Sequence, residues 1–246
     1  MTAFTIRKLD ATTSTNAELK RAVVQNKLQK PTAIWAEYQT HGKGQHAHRW
    51  ESRKGENLTF SVFWPDLISD PLDAFQINRV VCLALTDVFQ KLKIPQIAIK
   101  WPNDILSANS KLAGILIENS LQGQRSNLSI VGIGINVNQT DFSHLPKASS
   151  LSLALGRPLD REQLFTDLLT ALENAFMTLD SRDASVLNKT YEKQLFGREV
   201  WHSFIYNGEH RRGKIRGVTT KGALQIEWES SELQYFKDSK ALTLLY

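Results

Sequence analysis

The sequence is poor in the features that mark secreted and membrane proteins. It contains one cysteine, Cys82, in 246 residues, so no intramolecular disulfide can form and we expect a reducing compartment. No uninterrupted apolar run approaches the length of a bilayer-spanning helix. Residues 1–7 lack the charged head and apolar stretch of a signal peptide. These absences predict a cytoplasmic globular protein that does not associate with membranes, with Cys82 packed in its core.

A strong charge of either sign is also missing. The 30 Lys and Arg residues against 25 Asp and Glu give a net charge of +5, which falls short of the dense basic stripe of a nucleic-acid binder. Hydrophobic residues make up 41% of the chain, enough to bury a sizeable core. The composition therefore suits anionic small molecules and an acidic protein partner equally well.

Hydrophobic periodicity predicts an α+β fold with a mixed, largely antiparallel sheet flanked by helices. The predicted helices cover about 15–25, 75–92, 161–179 and 184–196, and the predicted strands cover 33–38, 57–64, 96–101, 111–118 and 128–138. Strand 57–64 alternates polar with apolar residues, which is typical of a half-buried strand. Hairpin turns are expected at Asn109-Ser110 and Gln122-Gly123-Gln124. Ser14 or Thr15 can cap the first helix, with Glu18 closing a capping box.

The spacing changes after residue 196. Short strands at about 199–206, 211–218, 222–228 and 233–236 are split by Asn207-Gly208 and Lys221-Gly222. Such spacing predicts a small β-barrel. We therefore expect two domains, residues 1–196 and residues 197–246.

A glycine loop between Gln39 and Trp50 is the first candidate for chemistry. Gly42 and Gly44 flank Lys43, so the backbone can approach a ligand closely and a cation stands beside it. Gln39 and Gln45 add amide groups, and Trp50 can anchor the loop. The same residues also fit an ordinary hairpin tip. The neighbouring His41, His46 and His48 have no second cluster of metal-binding residues, so we expect no zinc site.

Two further stretches carry polar residues beside apolar strands. Lys100-Trp101-Pro102-Asn103-Asp104 ends a strand and begins a turn, where Asp104 either serves as a turn residue or acts on Mg²⁺ bound to phosphates. Lys111 heads the apolar stretch Lys111-Leu112-Ala113-Gly114-Ile115-Leu116; it can extend to the surface or act as a fixed cation between two anions. Gly134 and Asn136 fit either plain core or the surface under an adenine or ribose. Together the parts meet the needs of a reaction that joins an acid to AMP.

In order and spacing these parts resemble the biotin protein ligases. Ser14-Thr15-Asn16 stands where the family has Ser-Thr-Asn after its first strand. The family loop, Gly-Arg/Lys-Gly-Arg/Gln-x-Gly-x-x-Trp with a glutamine three positions before it, is matched by Gln39, Gly42, Lys43, Gly44, Gln45 and Trp50. The segments Lys100–Asp104, Lys111–Leu116 and Gly132–Asn136 match with few changes. Lys43 and Gln45 stand where many members have arginine, Ala47 replaces a third glycine, and His46 and His48 also depart from the family loop. These changes leave open how tightly the loop retains an intermediate.

The resemblance implies a class II synthetase-like catalytic domain with an SH3-like C-terminal barrel. It implies ATP- and Mg²⁺-dependent conversion of biotin to biotinyl-AMP, then transfer of biotin to a lysine of a biotin carboxyl carrier domain of an acyl-CoA carboxylase. The implied catalytic residues are Lys111, Lys43 and Asp104. The implied biotin-binding residues are Ser14, Thr15, Asn16, Gln39, Gly42, Lys43, Gly44, Gln45, Lys111 and Gly114. The implied nucleotide-binding residues are Lys43, Gly44, Trp50, Asn103, Lys111, Gly134 and Asn136. No metal ion held by protein ligands alone is implied.

Three other functions remain open at this point. A lipoate or octanoate ligase uses similar acyl chemistry, but a polar pocket from Ser14, Thr15 and Gln39 favours the ureido ring of biotin. A biotin-sensing repressor needs a helix-turn-helix domain, and about ten residues before Ser14 leave no room for one, so we expect no DNA binding. A binding protein without activity is the third. The sequence is compatible with both a monomer and a homodimer.

Overall fold

A seven-stranded sheet forms the centre of the fold. The computed structural model describes residues 2–26, 28–45, 48–67, 74–122, 126–179 and 181–246. The strands of the sheet are β1 (Thr5–Leu9), β2 (Thr32–Ala36), β3 (Leu58–Phe63), β4 (Ile97–Lys100), β5 (Asp104–Ser107), β6 (Ser110–Gln122) and β7 (Ser126–Ile135). They lie in the order β1-β2-β3-β7-β6-β5-β4, with β1 parallel to β2 and every other pair antiparallel. The predicted α+β class with a largely antiparallel sheet is confirmed.

Helices cover both faces of this sheet. They are α1 (Thr15–Asn26), α2 (Ala74–Lys91), α3 (Leu151–Leu155), α4 (Arg161–Met177) and α5 (Ala184–Lys193). On one face α1 buries Leu19 and Val23 against Ile34, Phe63 and Ile130. On the other face α2 and α4 pack together in the main core. The four longer helices were predicted from their apolar spacing, whereas α3 has only five residues and is too short to show a period.

The C-terminal residues form a second, five-stranded antiparallel sheet. Its strands are β8 (Trp201–Tyr206), β9 (Glu209–Val218), β10 (Leu224–Trp228), β11 (Leu233–Phe236) and β12 (Leu242–Leu245), in the order β11-β10-β9-β8-β12. Phe204, Tyr206, Trp228 and Phe236 pack ring against ring inside it. The predicted small C-terminal β unit is confirmed. The domain boundary after residue 196 stays a prediction; it falls between α5 and β8.

The turn between β9 and β10 ties the two sheets together. The buried Arg79 guanidinium donates to the Thr219 carbonyl at 2.5 Å and to the Thr220 carbonyl at 2.9 Å. Trp101 Nε1 donates to the Gly222 carbonyl at 3.0 Å. Because Arg79 lies on α2 and Trp101 follows the edge strand β4, these bonds hold the second sheet against the main sheet unit.

Three local predictions differ from the structure. All six residues of β3 are buried, not half of them, because Phe60 and Val62 face the main core while Ser61 lies under α1. Asp104 opens β5 opposite Lys100, so the turn is shorter than expected and covers 101–103. The strands β1, β5 and β12 were not predicted, since pairing with neighbouring strands rather than a local pattern makes them strands.

Other predictions are refined or lie outside the described residues. The first hairpin turn covers Ala108 and Asn109, because Ser110 already belongs to β6. Glu18, expected to close a capping box, pairs with Arg7 at 3.5 Å and with Arg21. Positions 123 and 124 of the second predicted turn, and His46 and Ala47 of the glycine loop, lie outside the described residues. Among the residues described, no helix has the length and apolar character to cross a bilayer.

Candidate active site

A cavity of about 550 Å³ lies on the α1 face of the main sheet. Most of the predicted site residues line it: Ser14, Thr15, Asn16, Gln39, Lys43, Gly44, Gln45, Trp50, Asn103, Asp104, Lys111, Gly114 and Gly134. The C-terminal sheet supplies part of the wall through Phe204, Ile215 and Leu224. Gly42 and Asn136 are the predicted residues outside the lining. Segments up to 120 residues apart in sequence thus converge on one space, as their combination predicted.

The described part of the cavity wall is strongly cationic. Five of its side chains carry a positive charge: Lys43, Arg49, Lys100, Lys111 and Lys240. Asp104 is the one carboxylate in the described lining. Charges of one sign along a concave wall focus the field and attract an oppositely charged ligand. The cavity therefore suits a ligand with several negative charges.

Lys111 and Asp104 form an ion pair inside the cavity, with 2.6 Å between Nζ and Oδ1. The strands β5 and β6 that carry them pair with a bulge, because Ile105 lies opposite Ala113 while Leu106 lies opposite Lys111. A bulge reverses the normal alternation of side chains. It brings the Lys111 ammonium over Gly114, where a Cβ would lie 3.1 Å from Nζ. The two side chains are 34% and 19% exposed, so solvent and a ligand can both reach them.

Two facing glycines form a flat floor beside this ion pair. Gly114 and Gly134 are direct partners in the β6–β7 pairing, and the Trp50 indole lies on them. A Cβ at Gly134 would lie 2.4 Å from the Trp50 ring, a distance that excludes any larger residue unless Trp50 moves. The Lys111 ammonium lies 5.7 Å from the Trp50 ring centroid, a cation–π contact. Trp50 is thus the anchor of the glycine loop, as predicted.

The described residues of the glycine loop form a tight hairpin. Trp50 N–H donates to the Gly42 carbonyl at 3.0 Å, and Gly44 N–H donates to the His48 carbonyl at 2.7 Å. A Cβ at Gly42 would lie 2.5 Å from the Trp50 carbonyl oxygen, so only glycine fits. The Gly44 N–H was predicted to face the ligand; here it is used within the hairpin. A bond from this group to a ligand needs the hairpin to open.

A network of buried polar side chains forms the inner end of the cavity. The Gln39 side-chain oxygen accepts from Thr15 N–H at 2.8 Å, and Asn16 Nδ2 donates to Glu118 Oε2 at 2.7 Å. The Ser61 hydroxyl lies 2.7 Å from the Thr15 hydroxyl and 2.6 Å from Asn16 Oδ1. Ser14, Thr15 and Asn16 are each 3% exposed. Such groups are costly to bury without partners, so the pocket suits a polar ligand.

The network includes two residues that sequence reasoning missed, Ser61 and Glu118. Each stands in a strand whose pattern looked merely alternating or apolar. Only Ser61 could have been noticed in the sequence, as a small polar residue between Phe60 and Val62. A role for such a residue can be inferred only once α1 is known to cover that face of the sheet.

The two asparagines predicted to bind nucleotide have structural partners. Asn103 is buried and its side chain donates to the Ile115 carbonyl, which fixes the β4–β5 turn against β6. Asn136 donates to the Ser149 carbonyl at 3.0 Å and approaches the Lys111 carbonyl at 3.4 Å. Asn136 therefore supports the backbone of Lys111 without lining the cavity itself.

Tyr246 was also missed; it is not in the described cavity lining, but its ring packs beside Lys100 of the cationic wall. Its ring is 4.2 Å from Lys147 Nζ and 5.0 Å from Lys100 Nζ. Partial burial raises the pKa of the Tyr246 phenol, and the Asp104 charge raises it further against the effect of Lys147. The phenol is therefore neutral at physiological pH and can donate a hydrogen bond.

The described side chains at this site form no metal centre built from protein ligands alone. No group of three or more His, Cys, Asp or Glu side chains comes together in the part of the chain that is described. One carboxylate with phosphate oxygens is a common way to hold Mg²⁺, since that ion keeps several water ligands. As a metal ligand, Asp104 suits only this shared arrangement, in which phosphate oxygens and water complete the coordination.

Comparisons with known proteins agree with this geometry. Residues 9–136 match the model of the Biotin/lipoate A/B protein ligase family, slightly more than half of the chain. The bifunctional ligase/repressor BirA of Bacillus subtilis is 30% identical over 221 residues, covering 87% of this chain and 67% of its own length. BirA of Salmonella typhimurium is 30% identical over 206 residues, covering 81% of this chain. This chain spans only 63% of the length of that relative.

Solved structures show the same fold. The biotin protein ligase of Aquifex aeolicus in complex with biotin and ATP has a TM-score of 0.80 at 24% identity, covering 98% of both chains. The biotin protein ligase of Leishmania major in complex with biotinyl-5-AMP has a TM-score of 0.65 at 21% identity, covering 95% of this chain and 98% of its own. At these identities the likeness supports the architecture of both sheets.

Proposed function

This chain is a member of the biotin/lipoate A/B protein ligase family, and from that premise we propose that it is a biotin protein ligase. In the proposed reaction, biotin and ATP form biotinyl-5′-AMP and pyrophosphate. The ε-amine of a lysine on a biotin carboxyl carrier domain then takes the biotinyl group and AMP leaves. One observation carries the proposal: a buried polar pocket and a cationic wall share one cavity, with Lys111 between them.

The first step needs two anions to approach each other. A carboxylate oxygen of biotin attacks the α-phosphorus of ATP, and the bond from that phosphorus to the pyrophosphate oxygen breaks. We assign Lys111 to the space between the carboxylate and the α-phosphate, since a fixed cation lowers their repulsion and stabilises charge in the transition state. Lys43 is assigned to the same anions from the loop side.

Biotin is assigned to the polar end of the cavity. Its ureido ring has N–H donors and a carbonyl acceptor, which need partners when buried. We assign this ring to Ser14, Thr15 and Gln39, with Asn16 holding Thr15 in place through Ser61. The rest of biotin is assigned to the loop residues Gly42, Gly44 and Gln45 and to the space beside Lys111 and Gly114. The end of Lys111 and the Trp50 ring lie above Gly114, at 3.1 Å and 3.4 Å from the place of a Cβ, so a ligand there needs these side chains to shift.

The nucleotide is assigned to the glycine floor and the surrounding walls. A ribose or adenine can lie against Gly134 only when the Trp50 ring moves off it, because the ring covers Gly134. We therefore propose that the Trp50 ring moves off Gly134 when ATP enters and then contacts the nucleotide. Asn103 and Asn136 support the nucleotide site indirectly: Asn103 fixes the β4–β5 turn and Asn136 fixes the Lys111 backbone.

Mg²⁺ is proposed as the ion that accompanies ATP. Asp104, with the phosphate oxygens, would hold it, and the ion would supply charge neutralisation on the phosphates. Asp104 is paired with Lys111 at 2.6 Å, so its carboxylate also orients the Lys111 ammonium. In the second step we assign Asp104 to orienting the incoming amine, which must lose a proton to attack the acyl carbon.

Lipoate is the competing substrate, since the family includes lipoate ligases. Lipoate has no ureido ring, so the Thr15 oxygen and the Gln39 NH₂ group that border the cavity would face its apolar ring without a ligand partner. The polar pocket therefore favours biotin. Because the cavity lies in a chain with one buried cysteine, we also propose a reducing, cytoplasmic setting for this reaction.

Acid-dependent release of pyrophosphate tests the proposal. The purified chain is mixed with ATP, Mg²⁺ and either biotin, lipoate or octanoate, and pyrophosphate is measured over time. We expect pyrophosphate release with biotin and none with lipoate or octanoate. Release with lipoate or octanoate and none with biotin would refute the substrate, and no release with any acid would refute the activity.

A further inference from the structure

We propose that Glu118 sets the hydrogen-bond polarity of the polar pocket and thereby selects a ring that carries N–H groups. This inference rests on the proposed function, because it concerns the part of the cavity assigned to the ureido ring. Glu118 does not line the cavity itself. It is a positioning residue that acts through Asn16, Ser61 and Thr15.

The orientation of the Asn16 amide is fixed by two groups that can only accept. Glu118 Oε2 lies 2.7 Å from the Asn16 amide group, and the Leu116 carbonyl oxygen lies 3.4 Å from it. A carboxylate and a carbonyl have no proton to donate, so the NH₂ group of Asn16 must face both of them. Asn16 Oδ1 therefore points the other way, towards Ser61.

Asn16 in turn fixes the Ser61 proton. Asn16 Oδ1 is 2.6 Å from the Ser61 oxygen and can only accept, so Ser61 must donate to it. A hydroxyl has a single proton, so at its other contact, 2.7 Å from the Thr15 oxygen, Ser61 accepts. The Thr15 proton then points to Ser61 rather than to Gln39 Oε1, which is farther away at 3.2 Å.

The consequence appears at the cavity surface. Thr15 has its proton directed inwards, so its hydroxyl oxygen presents lone pairs to the cavity and acts as an acceptor. The Gln39 side-chain oxygen accepts the Thr15 N–H, so its NH₂ group remains as a donor on the side of Gly42. An acceptor and a donor side by side match a cyclic urea, in which N–H stands next to C=O.

The packing prevents Asn16 from avoiding this arrangement. A Cβ at Gly132 would lie 2.2 Å from Asn16 Oδ1, so the amide is pressed directly onto β7. Asn16 and Ser61 are 3% and 0% exposed, and water has no access to exchange their partners. One carboxylate at the edge of the network therefore decides the direction of three successive hydrogen bonds.

The test uses variants that change the polarity and nearly preserve the shape. In Glu118→Gln the new amide can donate as well as accept, so the direction is no longer fixed. Asn16 can turn over by giving up its 3.4 Å contact with the Leu116 carbonyl, Ser61 can then donate to Thr15, and Thr15 can present a proton to the cavity. We expect the Kd for biotin to rise about tenfold to hundredfold, since a buried N–H then faces a donor. Desthiobiotin, which keeps the urea ring, should weaken equally. The KM for biotin should rise with kcat changed less than threefold. Glu162→Gln, at a surface ion pair with Lys8, is the matched control and should bind as the wild type does.

A charge exchange separates polarity from packing. Asn16→Asp alone places two carboxylates together and should bind biotin poorly. In the double variant Asn16→Asp/Glu118→Gln, the new carboxylate accepts from both the new amide and Ser61, so the original direction at Thr15 returns. We expect the double variant to bind biotin at least fivefold more tightly than either single variant, in proteins shown by thermal unfolding to be folded.

The outcomes separate the two proposals. If the wild type binds biotin and Glu118→Gln keeps its Kd within twofold, the inference about Glu118 is overturned and the proposed function stands. If the double variant is weaker than both single variants, the polarity mechanism is overturned, because loss of packing alone accounts for the effect. If the wild type binds no biotin, the proposed function itself fails, and the inference fails with it.

Discussion

Replacing Lys111 with alanine should stop adenylate formation while leaving the protein folded. The Lys111 and Asp104 side chains are 34% and 19% exposed, and ion pairs in contact with solvent contribute about 0–1 kcal/mol to stability. For a chain of this size, a loss of about 1 kcal/mol lowers Tm by roughly 2–4 °C. In the reaction, by contrast, removing one group that stabilises transition-state charge costs about 10²–10³ in rate. The variant should therefore lose activity out of proportion to stability.

The assay compares Lys111→Ala with a matched lysine elsewhere. Lys91 pairs with Asp87 on α2, also at 2.6 Å, and lies outside the described cavity lining, so Lys91→Ala controls for the loss of an ion pair. Biotin-dependent pyrophosphate release and thermal unfolding are measured for both variants. We expect Lys91→Ala to be active and Lys111→Ala to be inactive, with similar Tm values. A folded Lys111→Ala protein that releases pyrophosphate at the normal rate would refute the role of Lys111.

Three further predictions follow from contacts described above. Gly134→Ala places a Cβ 2.4 Å from the Trp50 ring and should lower the free energy of unfolding by about 1–3 kcal/mol in chemical denaturation. Gly114→Ala should cost less, because its Cβ meets the flexible end of Lys111 at 3.1 Å and the Trp50 ring at an ordinary 3.4 Å. Equal losses would contradict a rigid Trp50 ring over Gly134. Burial raises the pKa of the Cys82 thiol, so Ellman's reagent at pH 8 should react with Cys82 only after unfolding. Burial raises the pKa of Tyr191 well above 10. The neutral phenol therefore contributes fully to the free energy of unfolding below pH 10, and this contribution is lost above pH 10 by up to about 1.4 kcal/mol per pH unit. Tyr191→Phe should flatten that slope in denaturation curves taken from pH 9 to 11.

Local patterns were enough to predict most of the elements. The apolar spacing of α2 and the alternation along β7 are strong, and both elements appear within a few residues of their predicted bounds. The strand β1 has mostly exposed residues and is a strand because its backbone pairs with β2. No local signal reports such pairing, so β1 could not be predicted from its own residues.

The site was predicted as a set of residues but not as an arrangement. Motif order placed Lys111 and Asp104 in one site, yet their ion pair depends on a bulge in the β5–β6 pairing that leaves no mark in the sequence. The Trp50 floor likewise depends on the register that places Gly114 opposite Gly134. Glu118 and Ser61 are ordinary polar residues until α1 covers them. The arrangement of the site residues therefore depends on strand register and helix packing, which local sequence patterns do not report.

Transfer of biotin to a carrier is the direct test of the proposed ligase activity. The chain is incubated with biotin, ATP, Mg²⁺ and a biotin carboxyl carrier domain, and the biotinylated carrier is detected by mass spectrometry. A carrier with its acceptor lysine changed to arginine and a reaction with lipoate are the controls. We expect transfer of biotin that depends on ATP and is lost with the altered carrier. Tight binding of biotin with no transfer to the intact carrier would contradict it and would indicate a binding protein without ligase activity.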